Sequence, residues 1–163
     1  MPAYHEVYLV RYELSIQDPD LPSPRYHTAI LVETGSLGTG TGTLHQVTGD
    51  ITSEGGMYYF PQDKSEQDKV QQPRSMEYIG VTPASSYPAE WDRVLRSIPP
   101  PRQQKAFNVM TMRTQPFKTR NPLVFYEEGE VRRPLVKCTE WTLERAVPAL
   151  RASGLLLWSP DKL

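Results

Sequence analysis

Arg25-Tyr-His-Thr-Ala-Ile-Leu-Val-Glu-Thr34 is the stretch whose reading decides the fold. Its centre, Ala29-Ile-Leu-Val32, is an unbroken apolar run. A short run of this kind, rich in β-branched residues, suits the middle of a sheet covered on both faces. A proline-rich turn, Asp18-Pro-Asp-Leu-Pro-Ser-Pro24, bounds it upstream, and Gly35-Ser-Leu-Gly-Thr-Gly-Thr-Gly42 bounds it downstream. The segment therefore predicts a central strand at 25–34 that turns back through a long glycine-rich loop into a second strand at 43–48. That loop fits a flexible hairpin connection or a flap better than a phosphate cradle. No Lys-Ser/Thr pair follows Gly42, and the next segment reads as a strand, not a helix.

Working outward, Tyr4 to Ile16 reads as another strand. Val7, Leu9 and Arg11 alternate with Tyr8, Val10 and Tyr12. Met57 to Phe60 and Met76 to Thr82 add two more, with a polar loop or short helix at 62–69 between them. Trp91, Val94, Leu95 and Ile98 recur at helical spacing, Pro88 suits a first turn, and Pro99-Pro-Pro101 ends the segment, so a helix is expected at 88–98. Residues 105–112 fit strand or helix, and 121–126 a strand or a connection. A helix is expected at 139–153, with Gly154 in the capping place and Pro148 forcing a kink or break near residue 144. The tail 155–158 adds an edge strand or packs under that helix. Strands early and helices late predict an α+β fold, with helices packed on a mainly antiparallel sheet.

The 163 residues fit a single domain over 1–163, long enough to bury a core without a metal or disulfide staple. A net charge of −1 gives no electrostatic reason to expect nucleic acid as a partner. The longest apolar run, Leu155-Leu-Leu-Trp158, is far short of the ~20 residues that span a bilayer, so no membrane span is expected. Met1-Pro-Ala-Tyr-His-Glu6 lacks a basic segment followed by an apolar one, so a secretory leader is not expected and a cytoplasmic address is the simplest. One cysteine makes neither an internal disulfide nor a multi-cysteine zinc site, and no metal or other cofactor is expected.

That cysteine, Cys138, follows the extended Pro134-Leu-Val-Lys137 and stands where the helix begins. A helix N-terminus presents free N–H groups and partial positive charge, which favour a thiolate and can stabilise an oxyanion. Lys137 adds a further positive charge. A thiol nucleophile needs a base within hydrogen-bond reach. Of the three histidines, His5 lies near the exposed start of the first strand, whereas His27 enters the central apolar strand and His45 stands on its hairpin partner. Each residue alone is more often structural: a lone cysteine is usually a small buried hydrophobe.

Taken together, His27 in Tyr-His-Thr-Ala-Ile-Leu-Val, His45 in Gly-Thr-Leu-His and Cys138 opening Cys-Thr-Glu-Trp resemble the circularly permuted papain-like superfamily. Lecithin retinol acyltransferase and the H-Ras-like suppressor phospholipid acyltransferases belong to that group. The resemblance implies a permuted papain-like arrangement, with the histidine strands before the cysteine helix. It implies Cys138 as nucleophile, His27 as general base and His45 as the residue that orients it. Tyr26, beside His27, and Trp141, one helical turn from Cys138, are the expected substrate contacts. The implied activity is a thiol-dependent hydrolase or acyltransferase acting on an amide or ester of a small-molecule, lipid or peptide acyl substrate. A non-catalytic binding module on the same scaffold is the alternative, and a thiol-independent acid–base enzyme is a third reading.

Overall fold

The alternation along Tyr4–Glu13 (β1) and Tyr26–Glu33 (β2) sorts their side chains onto the two faces of one sheet. A computed structural model, which describes residues 3–35, 39–64 and 72–158, pairs these strands antiparallel from Glu6↔Glu33 to Glu13↔Tyr26. Val7, Leu9, Ile30 and Val32 enter one buried cluster, while Val10, Tyr12, Ala29 and Leu31 enter another. The central run is thus buried on both faces, as its composition requires.

The hairpin partner expected at 43–48 divides in two. Gly42–His45 (β3) pairs with β2, and Val47–Gly49 (β4) leaves to pair with Met57–Tyr59 (β5) in a separate two-stranded sheet. Gln62–Lys64 (β6) adds to β3, so the start of the expected polar loop is an edge strand; residues 65–69 lie outside the described residues. Ser75–Pro83 (β7) pairs with β1 and completes an all-antiparallel sheet in the order β6-β3-β2-β1-β7. Gly40, in the glycine loop, is buried: its amide donates to Glu33 Oε2 at 2.9 Å, and a Cβ there would sit 3.8 Å from Met76 on β7. Gly40 therefore lies against the sheet; the loop's residues 36–38 lie outside the described residues.

The helix Ala89–Ser97 (α1) buries Trp91, Val94 and Leu95, and the Trp91 indole donates to Thr82 Oγ1 at 2.7 Å. Lys105–Asn108 (β8) is a strand, resolving the ambiguity at 105–112, and joins Arg113–Thr119 (β9) and Val124–Phe125 (β10) in a three-stranded sheet. Strands therefore continue into the second half of the chain. The last helix runs as Cys138–Glu140 (α2), a π-helical turn Trp141–Ala146, and Val147–Ala152 (α3). A proline ring clashes with the carbonyl four residues back, here that of Glu144, and the widened turn just before Pro148 relieves it. Gly154, at φ 73°, closes the helix, with Leu155 N–H bonded to Leu150 C=O at 2.9 Å and both leucines buried. The tail then reaches back to β7 through a bridge between Leu157 and Val81.

Candidate active site

β3 ends at His45, opposite Ile30, so on the edge of β2 away from β1 no strand among the described residues pairs with 26–28. The helix start fills that place with side chains. Thr139 Oγ1 donates to Tyr26 C=O at 3.3 Å, and Thr142 Oγ1 donates to Thr28 C=O at 3.4 Å. The Thr28 N–H lies near the Cys138 sulfur and favours its thiolate. Two backbone carbonyls that a neighbouring strand would have bonded are thus satisfied by helix side chains. Arg25 braces the junction with a two-pronged bond to Glu140, at 3.0 and 2.9 Å, and Glu140 Oε1 also accepts the Lys137 N–H at 2.9 Å.

This docking carries Cys138 into hydrogen-bonding reach of His27, close enough that each shifts the other's pKa. The other face of the imidazole is fixed too: His27 Nε2 donates to Gln46 Oε1 at 2.7 Å, which leaves Nδ1 for the thiol. Gln46 is itself held, donating from Nε2 to Gln62 Oε1 at 3.1 Å. Cys138, His27 and Gln46 therefore form a thiol–imidazole–amide chain.

The electrostatics follow the geometry. Burial pushes the Cys138 thiol up. The His27 hydrogen bond, the Thr28 N–H and the nearby charges of His27 and Arg25 outweigh it and leave the thiol below its ordinary value. Burial likewise pushes His27 down, but its bonds to Cys138 and Gln46 and the thiolate's charge hold it above the usual imidazole range.

The expected roles of the other residues are redistributed. His45 does not meet His27, because it shares a face with its partner Ile30, and His27, three residues before Ile30, faces the other side of the sheet. It is turned into the core on the α1 side, with Nδ1 2.5 Å from Tyr59 Oη and Nε2 2.8 Å from Tyr87 Oη, against Trp91. Gln46, one residue on, holds the orienting position instead. Trp141 is fully buried against Tyr59, so the expected substrate contact is a core residue. Tyr26 lies under the guanidinium of Arg74, which sits 5.1 Å from the ring centroid. Lys137 points to Asp18, 3.8 Å away, and joins a cluster in which buried Lys105 bridges Asp18 and Asp20 at 2.9 and 2.7 Å. His5 packs edge-on against Tyr87.

A cleft of about 640 Å³ opens at the His27–Gln46 side of the sheet. Tyr12, Leu44, Tyr58, Phe60 and Lys64 line it. Cys138 is 6% exposed and sits behind His27, outside the lining. Among the described residues no group of three or more His, Cys, Asp or Glu could hold a metal ion, and no helix is long and apolar enough to cross a membrane.

Residues 7–157 match a family described as "Family of unknown function (DUF6540)". The chain belongs to the DUF6540 family. No curated protein and no solved structure matches it. Gln46 is the site residue that the sequence reading missed in this DUF6540 chain. Its only signal is strand parity, since it shares the face of His27 once the register Ile30↔His45 is known.

Proposed function

We propose that this protein is a thiol-dependent hydrolase or acyltransferase of permuted papain-like type, with Cys138 as nucleophile and His27 as general base. The observation that carries the reading is the Cys138–His27–Gln46 chain, which has the thiol–imidazole–amide composition of a papain-like Cys-His-Asn triad with a longer amide. His27 Nδ1 takes the thiol proton, and the sulfur attacks the carbonyl carbon of an amide or ester. The tetrahedral oxyanion collapses to an acyl-enzyme as protonated His27 returns its proton to the leaving amine or alcohol. Water, or a second amine or alcohol, then attacks the acyl-enzyme and frees Cys138. Gln46 keeps the proton on Nε2 throughout, so that Nδ1 remains the reactive nitrogen. N–H groups at the helix start are suited to the oxyanion, one such donor typically being worth ~2.7–4 kcal/mol. The aromatic lining of the cleft, Tyr12, Tyr58 and Phe60, favours an acyl or leaving group with an apolar body.

The test is the rate at which iodoacetamide alkylates Cys138 across pH, in the wild type and in His27→Ala. The expected result is a midpoint below the ordinary thiol value of ~8.5, moving up when His27 is removed. A slow thiol indifferent to His27 would overturn the reading. The 6% exposure of Cys138 favours a second reading, a non-catalytic binding module whose thiol is a core residue. Indifference to His27 is the result that module predicts.

A further inference from the structure

A second cavity lies away from His27, between the proline run at 99–101, strand β9 and the segment 133–136 that leads into Cys138. Its volume is about 320 Å³, at the small end of ligand pockets. The charged residues of its lining are Arg102, Arg133 and Arg145, and the lining contains no aspartate or glutamate. In a chain of net charge −1, three guanidiniums without a carboxylate give this one cavity a local positive charge.

The neighbouring polar groups have their bonds elsewhere. Gln104 is spent on Val136, donating to its C=O at 2.7 Å and accepting its N–H at 2.8 Å. Gln103 donates to Thr52 C=O and Lys105 C=O, both at 3.1 Å, and accepts from Arg120. Arg133 is braced by Tyr126, its N–H and Nε both donating to the phenol oxygen, and it bonds the Lys118 carbonyl. Among the described residues Arg102 and Arg145 make no ion pair, so their forked donors are available. The lining also has an apolar part: Phe117, Leu135 and prolines whose fixed rings leave little to order on binding.

We propose that this cavity binds a small organic anion, its carboxylate or phosphate held by Arg102 and Arg145 and its apolar body resting on Phe117 and Leu135. A guanidinium fork pairs with two oxygens of either headgroup, and the three like charges repel one another until an anion enters. The assignment does not depend on the thiol chemistry.

Isothermal titration of the whole protein with phenyl phosphate, benzoate and inorganic phosphate tests it. At least one of the two aromatic anions is expected to bind saturably, more tightly than inorganic phosphate, and more weakly as salt is added. Tighter phenyl phosphate assigns a phosphate headgroup, and tighter benzoate a carboxylate. In the double variant Arg102→Ala/Arg145→Ala, both sites being exposed, that affinity falls by about tenfold or more. Arg93→Ala, an exposed arginine on α1, leaves it unchanged. No saturable binding of either aromatic anion up to about 10 mM overturns the proposal, as does equal binding by the double variant. Inorganic phosphate binding as tightly as both aromatic anions overturns it too, since the apolar part of the lining would then contribute nothing.

Discussion

His27 and His45 stand on adjacent strands, yet the sheet turns them to opposite faces and gives imidazole two different chemistries. At the cleft end, His27 lies between a thiol and an amide, and both bonds favour the protonated ring. On the core side, His45 lies between two phenols and a tryptophan, and burial drives its pKa down to about 4 despite the attraction of Asp92. Tyr59, which bonds His45, also donates to Asp92 Oδ1 at 3.0 Å, so the buried ring belongs to a chain of neutral hydroxyls tied to one carboxylate. Burial likewise raises Tyr87 to about 12, which keeps its hydroxyl protonated at neutral pH. The difference teaches that environment, not residue type, sets which protonation state an imidazole favours.

The largest effect that this comparison predicts falls on stability, on the core side. His45→Ala opens a cavity and strips partners from two buried phenols, costing about 3 kcal/mol or more in urea denaturation at pH 7. The wild type carries the matching pH signature. A histidine whose folded pKa lies below its unfolded value stabilises the fold above the unfolded pKa, and that stability is lost as pH falls through the folded one. Between pH 6.5 and 4 the loss amounts to roughly 3 kcal/mol, and it is absent in His45→Ala. If His27→Ala removed that slope instead, the two faces would have been assigned the wrong way round.

How much of this was legible beforehand depends on which physical quantity each feature rests on. The central run 29–32, the alternation in β1 and the helix at Trp91 are local patterns, and each appears within a few residues of its expected bounds. The nearness of Cys138 and His27 was expected only through the family resemblance, since no local pattern fixes how two segments so far apart in sequence meet. Gln46 was not expected at all. Its place depends on the β2–β3 register, which is set by the long glycine loop, and a one-residue slip exchanges Gln46 for His45. The departure of the chain from β3 into β4 was hidden for a related reason, since Thr43 to Thr48 reads as one strand whichever sheet it serves. Trp141 misled because helical spacing brings a residue near Cys138 in sequence without saying which face the core takes.

Gln46→Leu sharpens the comparison from the cleft side. Without the amide, His27 loses a bond that favours its protonated form, so its pKa falls and the thiolate loses support. The alkylation rate of Cys138 at neutral pH should drop by about tenfold with little loss of stability, the equivalent of ~1.4 kcal/mol. An unchanged rate would make Gln46 a bystander.

The smallest effect concerns the brace that joins the two elements. Glu140→Gln weakens the fork with Arg25 and the bond to the Lys137 N–H, and should lower the thermal midpoint by the equivalent of about 1 kcal/mol. Burial raises the Glu140 carboxyl, but Arg25 and the Lys137 N–H outweigh it and hold it below its ordinary value. Its contribution is therefore present above the unfolded carboxylate pKa and is lost as pH falls through the folded one. A variant with the same acid profile as the wild type would count against the brace.

The π-helical turn at Trp141–Ala146 carries a consequence for inheritance. It holds one residue more than the same stretch of α-helix requires, between an end anchored at Cys138 and an end anchored at Leu150. A homologue that lost that residue, and Pro148 with it, would keep both anchors on a regular helix. Single-residue gaps among relatives should therefore gather here, coupled to the presence or absence of the proline, while the lengths on either side stay constant.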